Sequence, residues 1–174
     1  MPTEIATFAS GCFWGVQHIF LKHYPEGKGI INTTVGYTGG KADATSPDYK
    51  TVCTGSTDHA EAVKIEFDPA VVGYDELVEF FYRTHDPTTL NSQGKGHRYT
   101  ISFRHLYTFS RPSGCCQTCD GRGAGAETLY TVRKEDRHRE SSRPDLGGNA
   151  EEYHQLYLFK NPDGYQCPNH RLHW

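Results

Sequence analysis

Gly11-Cys12-Phe13-Trp14-Gly15 sets a thiol directly before two aromatic rings. The residues ahead of it, Glu4 to Ala9, read as a short strand. Those behind it, Val16, Ile19, Phe20 and Tyr24, fall at helical spacing until Pro25-Glu26-Gly27 stops the pattern. Cys12 is therefore expected where a strand hands over to a helix. Backbone N–H groups and the positive helix end favour a thiolate there, so Cys12 is expected to titrate below the free value of about 8.5. Phe13 and Trp14 supply an apolar wall beside the sulfur. Such a thiol is a candidate nucleophile or redox centre, and a buried core cysteine is the plain alternative.

The other cysteines stand at 53, 115, 116, 119 and 167. Six in 174 residues is sparse for a disulfide scaffold, so nucleophiles, redox pairs or metal ligands are the roles to weigh. Cys116-Gln117-Thr118-Cys119 has the C-x-x-C spacing, but the second ligand pair of a tetrahedral zinc site is missing. The histidines follow no ligand spacing either. No metal and no cofactor is expected.

The elements that must position this chemistry follow from periodicity and breakers. Ile30 to Tyr37 is a second strand, rich in β-branched residues and closed by Gly39-Gly40. Residues 38–57 are polar and read as a loop, and Ala62 to Phe67 alternates as a half-buried strand ended by Asp68-Pro69. Tyr74 to His85 and Ala150 to Lys160 are expected helices, the latter stopped by Asn161-Pro162-Asp163-Gly164 ahead of a coil tail. This order predicts an α/β (α+β) class, a ferredoxin-like sandwich whose mixed sheet is covered by helices. At 174 residues the chain is one domain, 1–174.

With 36% hydrophobic residues and 22 aromatics, the chain has the means to bury a core, which excludes whole-chain disorder. A net charge of −3 argues against nucleic acid as a partner. No apolar run approaches the ~20 residues of a membrane span, and no secretory leader is visible, so a cytosolic (cytoplasmic) monomer is expected.

The string Gly11-Cys-Phe-Trp-Gly15 resembles the signature of the A-type peptide methionine sulfoxide reductases. The likeness extends through Val35-Gly-Tyr-Thr-Gly-Gly40, Tyr49-Lys-Thr-Val-Cys-Thr-Gly55, Asp58-His-Ala-Glu-Ala-Val63, His85-Asp-Pro-Thr-Thr89, Asn91-Ser-Gln-Gly94, Ala150-Glu-Glu-Tyr-His-Gln155 and Asn161-Pro-Asp-Gly-Tyr-Gln-Cys-Pro-Asn169, in the family's order. The resemblance implies that Cys12 attacks the sulfoxide sulfur and becomes a sulfenic acid. It makes Glu61 the acid that protonates the sulfoxide oxygen, and has Tyr49 donate to the same oxygen. It also implies that Phe13 and Trp14 enclose the substrate's S-methyl group. Cys167 would resolve the sulfenic acid as a disulfide, with Cys53 as competitor, and thioredoxin would reduce that disulfide. The substrate implied is the S epimer of methionine sulfoxide, free or in proteins.

Residues 96–148 depart from that pattern. They hold eight Arg and one Lys, against two Arg and seven Lys elsewhere, and three of the six cysteines. Few apolar positions recur at any period there, which fits a flexible or disordered insertion. A shifted reading frame is another source: permitted codons for Arg104 to Ala124, read one base later, allow a short strand and an Ala-rich amphipathic helix. A non-catalytic, degenerate relic of the family is the alternative that this segment raises.

Overall fold

The computed structural model describes residues 3–85, 146–168 and 170–173. Residues 86–145 carry nearly all of the atypical segment, including Cys115, Cys116 and Cys119, so the expectations on insertion and reading frame lie outside the described residues.

The described chain runs β1 (Glu4–Phe8), α1 (Phe13–His23), β2 (Ile30–Thr38), α2 (Tyr49–Cys53), β3 (Ala60–Phe67), α3 (Tyr74–Arg83) and β4 (Gly148–Asn149). A 3-10 turn at Glu152–His154 and the short α4 (Tyr157–Lys160) close it. The sheet order is β1-β3-β2-β4. Strands β1 and β2, joined through α1, run the same way, but β3 is inserted between them. Every described pairing is consequently antiparallel. The α/β sandwich stands, and among the described residues its sheet is antiparallel throughout. This is a split βαβ arrangement.

Alternation along β3 sets the two faces. Glu61, Val63, Ile65 and Phe67 share one face, where the three apolar residues join Phe13, Val16 and Phe20 of α1 in the core. Ala60 and Ala62 point the other way, against Ala9 and Leu146. Beneath α1 the rings of Phe8, Phe20, Phe80 and Phe81 interlock, with Phe8–Phe20 centroids 5.2 Å apart and Phe8–Phe81 4.9 Å. Pairs at such separations contribute about 0.5–1.5 kcal/mol beyond their area burial. They fix α1, and with it the residue at its start.

Two local expectations change. Residues 38–57 include a helix, α2, held by a capping box: the Asp48 carboxylate accepts from Thr51 N–H (2.9 Å), and Thr51 Oγ1 accepts from Asp48 N–H (3.2 Å). The expected helix over Ala150–Lys160 is broken instead. Leu156 adopts a left-handed conformation (φ +55°) between the 3-10 turn and α4. Its N–H bonds the buried Gln17 Oε1 (2.9 Å) on α1. The Gln155 amide pairs with both backbone groups of Val35, at 3.0 and 2.9 Å, along the edge of β2. These bonds to α1 and to the sheet edge replace a regular helical ladder.

Candidate active site

Strand β1 turns into α1 through Ser10-Gly11-Cys12, with Gly11 at φ +93°, a backbone position that a side chain would strain. Cys12 is the N-cap of α1, and its carbonyl accepts from Gly15 and Val16 N–H at 3.1 and 3.3 Å. The junction expected from sequence is there. The electrostatics differ from expectation. Burial, then the charge of Glu61, push the Cys12 thiol up to about 12, opposed by backbone hydrogen bonds from Gly15 and Trp14. The helix start lowers the value as expected, but it is outweighed by loss of water and by the neighbouring carboxylate. Alkylation of the Cys12 peptide by iodoacetamide, followed by mass spectrometry against pH, is therefore expected to keep rising past about 8.5. A midpoint below that value contradicts this placement.

Glu61 occupies the core face of β3 opposite the start of α1. Only 5% of it is exposed, and Oε2 accepts from Phe13 N–H at 3.0 Å. Burial pushes its carboxyl up to about 7, and the Phe13 N–H holds it from rising further. A solvated strand-edge glutamate is thereby excluded. At neutral pH this group carries its proton a substantial part of the time, which an acid catalyst requires.

Tyr49 stands at the first position of α2. Its backbone N–H donates to Glu151 Oε1 (3.0 Å), and its hydroxyl is hydrogen-bonded to Cys53. Burial, followed by the charge of Glu61, raises the phenol, and the charge of Cys12 adds to this. The hydroxyl thus stands within electrostatic reach of both Cys12 and Glu61. Phe13 is 1% exposed and backs the site from the core, its ring against Tyr49 (6.4 Å), Tyr37 (6.0 Å) and His154 (5.1 Å). Trp14 is the partly accessible ring of the pair. It stacks on Tyr157 at 3.7 Å, and its indole N–H donates to His154 Nδ1 at 3.0 Å.

Cys167 lies on the coil tail, close enough for its charge to add to the upward shift of Cys12. Cys53 faces Tyr49 and the carboxylates of Glu61 and Glu151. Cys12, Cys53 and Cys167 are all free thiols. The structure thus gathers Cys12, Glu61, Tyr49, Phe13, Trp14 and Cys167 at one end of the sheet.

Three residues that the motif reading left without a role tie this group together. Glu151 receives the Tyr37 hydroxyl at 2.8 Å through Oε2, and the Tyr49 N–H through Oε1. Burial raises Glu151, but these bonds win and hold it below the usual carboxylate range. His154, buried and pushed down by desolvation, is held neutral and fixes the Trp14 indole. The spacing Glu151-x-x-His154 sets both side chains on one turn, which is the signal the sequence offered; their partners lie 102 to 140 residues away.

A thiol at a helix start beside a proton-bearing buried carboxyl has the parts that a thiol-dependent oxidoreductase uses, a nucleophile and an acid. Residues 4–105 match the family model described as peptide methionine sulfoxide reductase. A probable peptide methionine sulfoxide reductase of Schizosaccharomyces pombe is 42% identical over 172 residues, covering 98% of this chain and 97% of that protein. The peptide methionine sulfoxide reductase MsrA of Methanothermobacter thermautotrophicus is 41% identical over 167 residues, covering 91% and 88%. The crystal structure of Mxr1 from Saccharomyces cerevisiae in reduced form superposes with a TM-score of 0.68 at 34% identity, over 98% of this chain and 92% of that one. Methionine sulfoxide reductase A of Corynebacterium diphtheriae gives 0.64 at 27% identity, over 99% and 81%. The chain belongs to the peptide methionine sulfoxide reductase family. Among the described residues, no helix is long and apolar enough to cross a membrane.

Proposed function

We propose that this chain reduces the S epimer of methionine sulfoxide, free or in proteins, with Cys12 as nucleophile, Glu61 as acid and Cys167 as resolving thiol. Cys12 sulfur attacks the sulfoxide sulfur, and the sulfur–oxygen bond breaks. The oxygen ends on Cys12 as a sulfenic acid, and methionine leaves. The sulfoxide gains two electrons and Cys12 loses two. Glu61 gives its proton to the oxygen as negative charge builds there, and is reprotonated at the expense of the Cys12 thiol. Both raised values suit this exchange: the resting site holds its protons until a sulfoxide arrives. The Tyr49 hydroxyl donates to the same oxygen, leaving Cys53 to do so. Trp14, backed by Phe13, receives the S-methyl group.

Cys167 then condenses with the sulfenic acid, releasing water and forming a Cys12–Cys167 disulfide. Thioredoxin, by thiol–disulfide exchange, returns both thiols. The observation that carries this reading is Glu61, buried and proton-bearing with its carboxyl bonded to Phe13 N–H, one residue from the nucleophile. The grouping of acid, nucleophile and second thiol favours an active enzyme over a degenerate relic. We place it in the cytosol as a monomer of one domain, where thiols stay reduced between turnovers.

Thioredoxin-coupled turnover of a methionine S-sulfoxide peptide tests the second half of this cycle. Cys167→Ser is expected to release about one methionine per enzyme and then stall with a sulfenic acid on Cys12. A small thiol restarts it by resolving that species directly. Full thioredoxin-driven turnover by the variant would remove Cys167 from the role and make Cys53 the next candidate.

A further inference from the structure

Most described residues of the tail that carries Cys167, from Asn161 to His173, are exposed, while Gly164, Cys167 and His170 are half-buried. The His170 ring reaches back 160 residues to bond the Ser10 carbonyl through Nε2 at 3.2 Å, two residues before Cys12. Only an N–H bonds a carbonyl, so Nε2 carries the ring proton and Nδ1 is bare. Nδ1 is sealed from solvent and has no hydrogen-bond partner. The ring packs on the first turn of α1, at a point where a Cβ on Gly15 would clash with Nδ1 and meet Cγ at 2.8 Å. The absence of a side chain at position 15 is what lets the imidazole in. His170 N–H in turn donates to the Cys167 carbonyl at 3.2 Å, so one turn links the docked ring to the thiol. A second tie follows at His173, whose N–H bonds the Arg83 carbonyl at 2.9 Å.

We propose that His170 is a positioning residue for the recycling step: docked on Gly15 and Ser10, it holds Cys167 in reach of the Cys12 sulfenic acid. This rests on the reading of Cys167 as the resolving thiol. The contacts of His170 run to Ser10, Gly15 and Cys167, so we assign it to the second half-reaction alone. Desolvation pushes the imidazole down to about 4, which keeps the ring neutral and docked at physiological pH.

The consequence is a split between two rates of the same protein. His170→Ala is expected to release one methionine per enzyme at the wild-type rate when mixed with S-sulfoxide peptide without reductant. Formation of the Cys12–Cys167 disulfide, followed by loss of free thiols after rapid quench, should slow by roughly 10- to 100-fold, the scale of a misplacement of about 1 Å. The waiting sulfenic acid should be trapped by dimedone on Cys12. His170→Gln keeps a donor at the Nε2 position and should recover most of the rate. Three results would each overturn the proposal: disulfide formation by the Ala variant at the wild-type rate, a methionine burst that falls in parallel, or a Gln variant no faster than Ala. Cys167→Ser, run alongside, separates the two ideas. If that variant still forms a disulfide with Cys12, the resolving thiol is elsewhere and the parent reading fails. If it does not, while His170→Ala is unaffected, only the positioning role fails.

Discussion

Cys12→Ser is expected to yield no methionine from a sulfoxide peptide, in single turnover or with any reductant, a loss on the order of 10⁴-fold or more. A serine hydroxyl neither attacks sulfoxide sulfur readily nor accepts its oxygen as a stable sulfenic acid. The substitution is close to isosteric, and serine is a favoured N-cap, so the start of α1 is preserved. The remaining described thiols do not substitute. Cys53 is engaged by Tyr49, and Cys167 is carried on the tail. Residual activity within about tenfold of wild type would mean that another thiol performs the attack.

Glu61→Gln is expected to slow the chemical step by roughly 10²–10⁴-fold while leaving affinity for the sulfoxide less changed, because the amide keeps the size of the side chain and loses the transferable proton. Single-turnover methionine release separates the step from binding. In the wild type that step should fall as pH rises through about 7, where Glu61 loses its proton; the Gln variant should lack this dependence. Stability gives an independent reading. The buried carboxyl keeps its proton above the unfolded value of about 4.3, so its favourable contribution is complete below that pH and is lost as pH rises to about 7. The loss is on the order of a few kcal/mol, and it should vanish in Glu61→Gln as followed by urea denaturation across this range. An unimpaired chemical step in the Gln variant would show that the proton comes from elsewhere.

The order of strands and helices was legible because the relevant periods are local: alternation over Ala62–Phe67 and helical spacing after Cys12 depend on neighbours only. Resemblance singled Glu61 out, and its burial was available from one more step of alternation, since it has the parity of Val63, Ile65 and Phe67. The capping box Asp48-x-x-Thr51 was likewise a readable sign of α2 inside a polar stretch. The break at Leu156 was not readable. It depends on Gln17 and Val35, more than 100 residues away, drawing the chain off a helical path. The shift of Cys12 was missed for a related reason. A helix start favours a thiolate, but the sign of the net effect depends on how deeply the sulfur is buried and on where Glu61 sits.

The most direct measurement gives the reduced protein an excess of methionine S-sulfoxide peptide with no reductant, counts the methionine formed, and maps the cysteine oxidation by mass spectrometry. The expected result is about one methionine per enzyme, with a disulfide between Cys12 and Cys167 and with Cys53 still free. Methionine formed while Cys12 remains a thiol, or no methionine from protein whose Cys12 is reduced, would contradict direct attack by Cys12 on the sulfoxide.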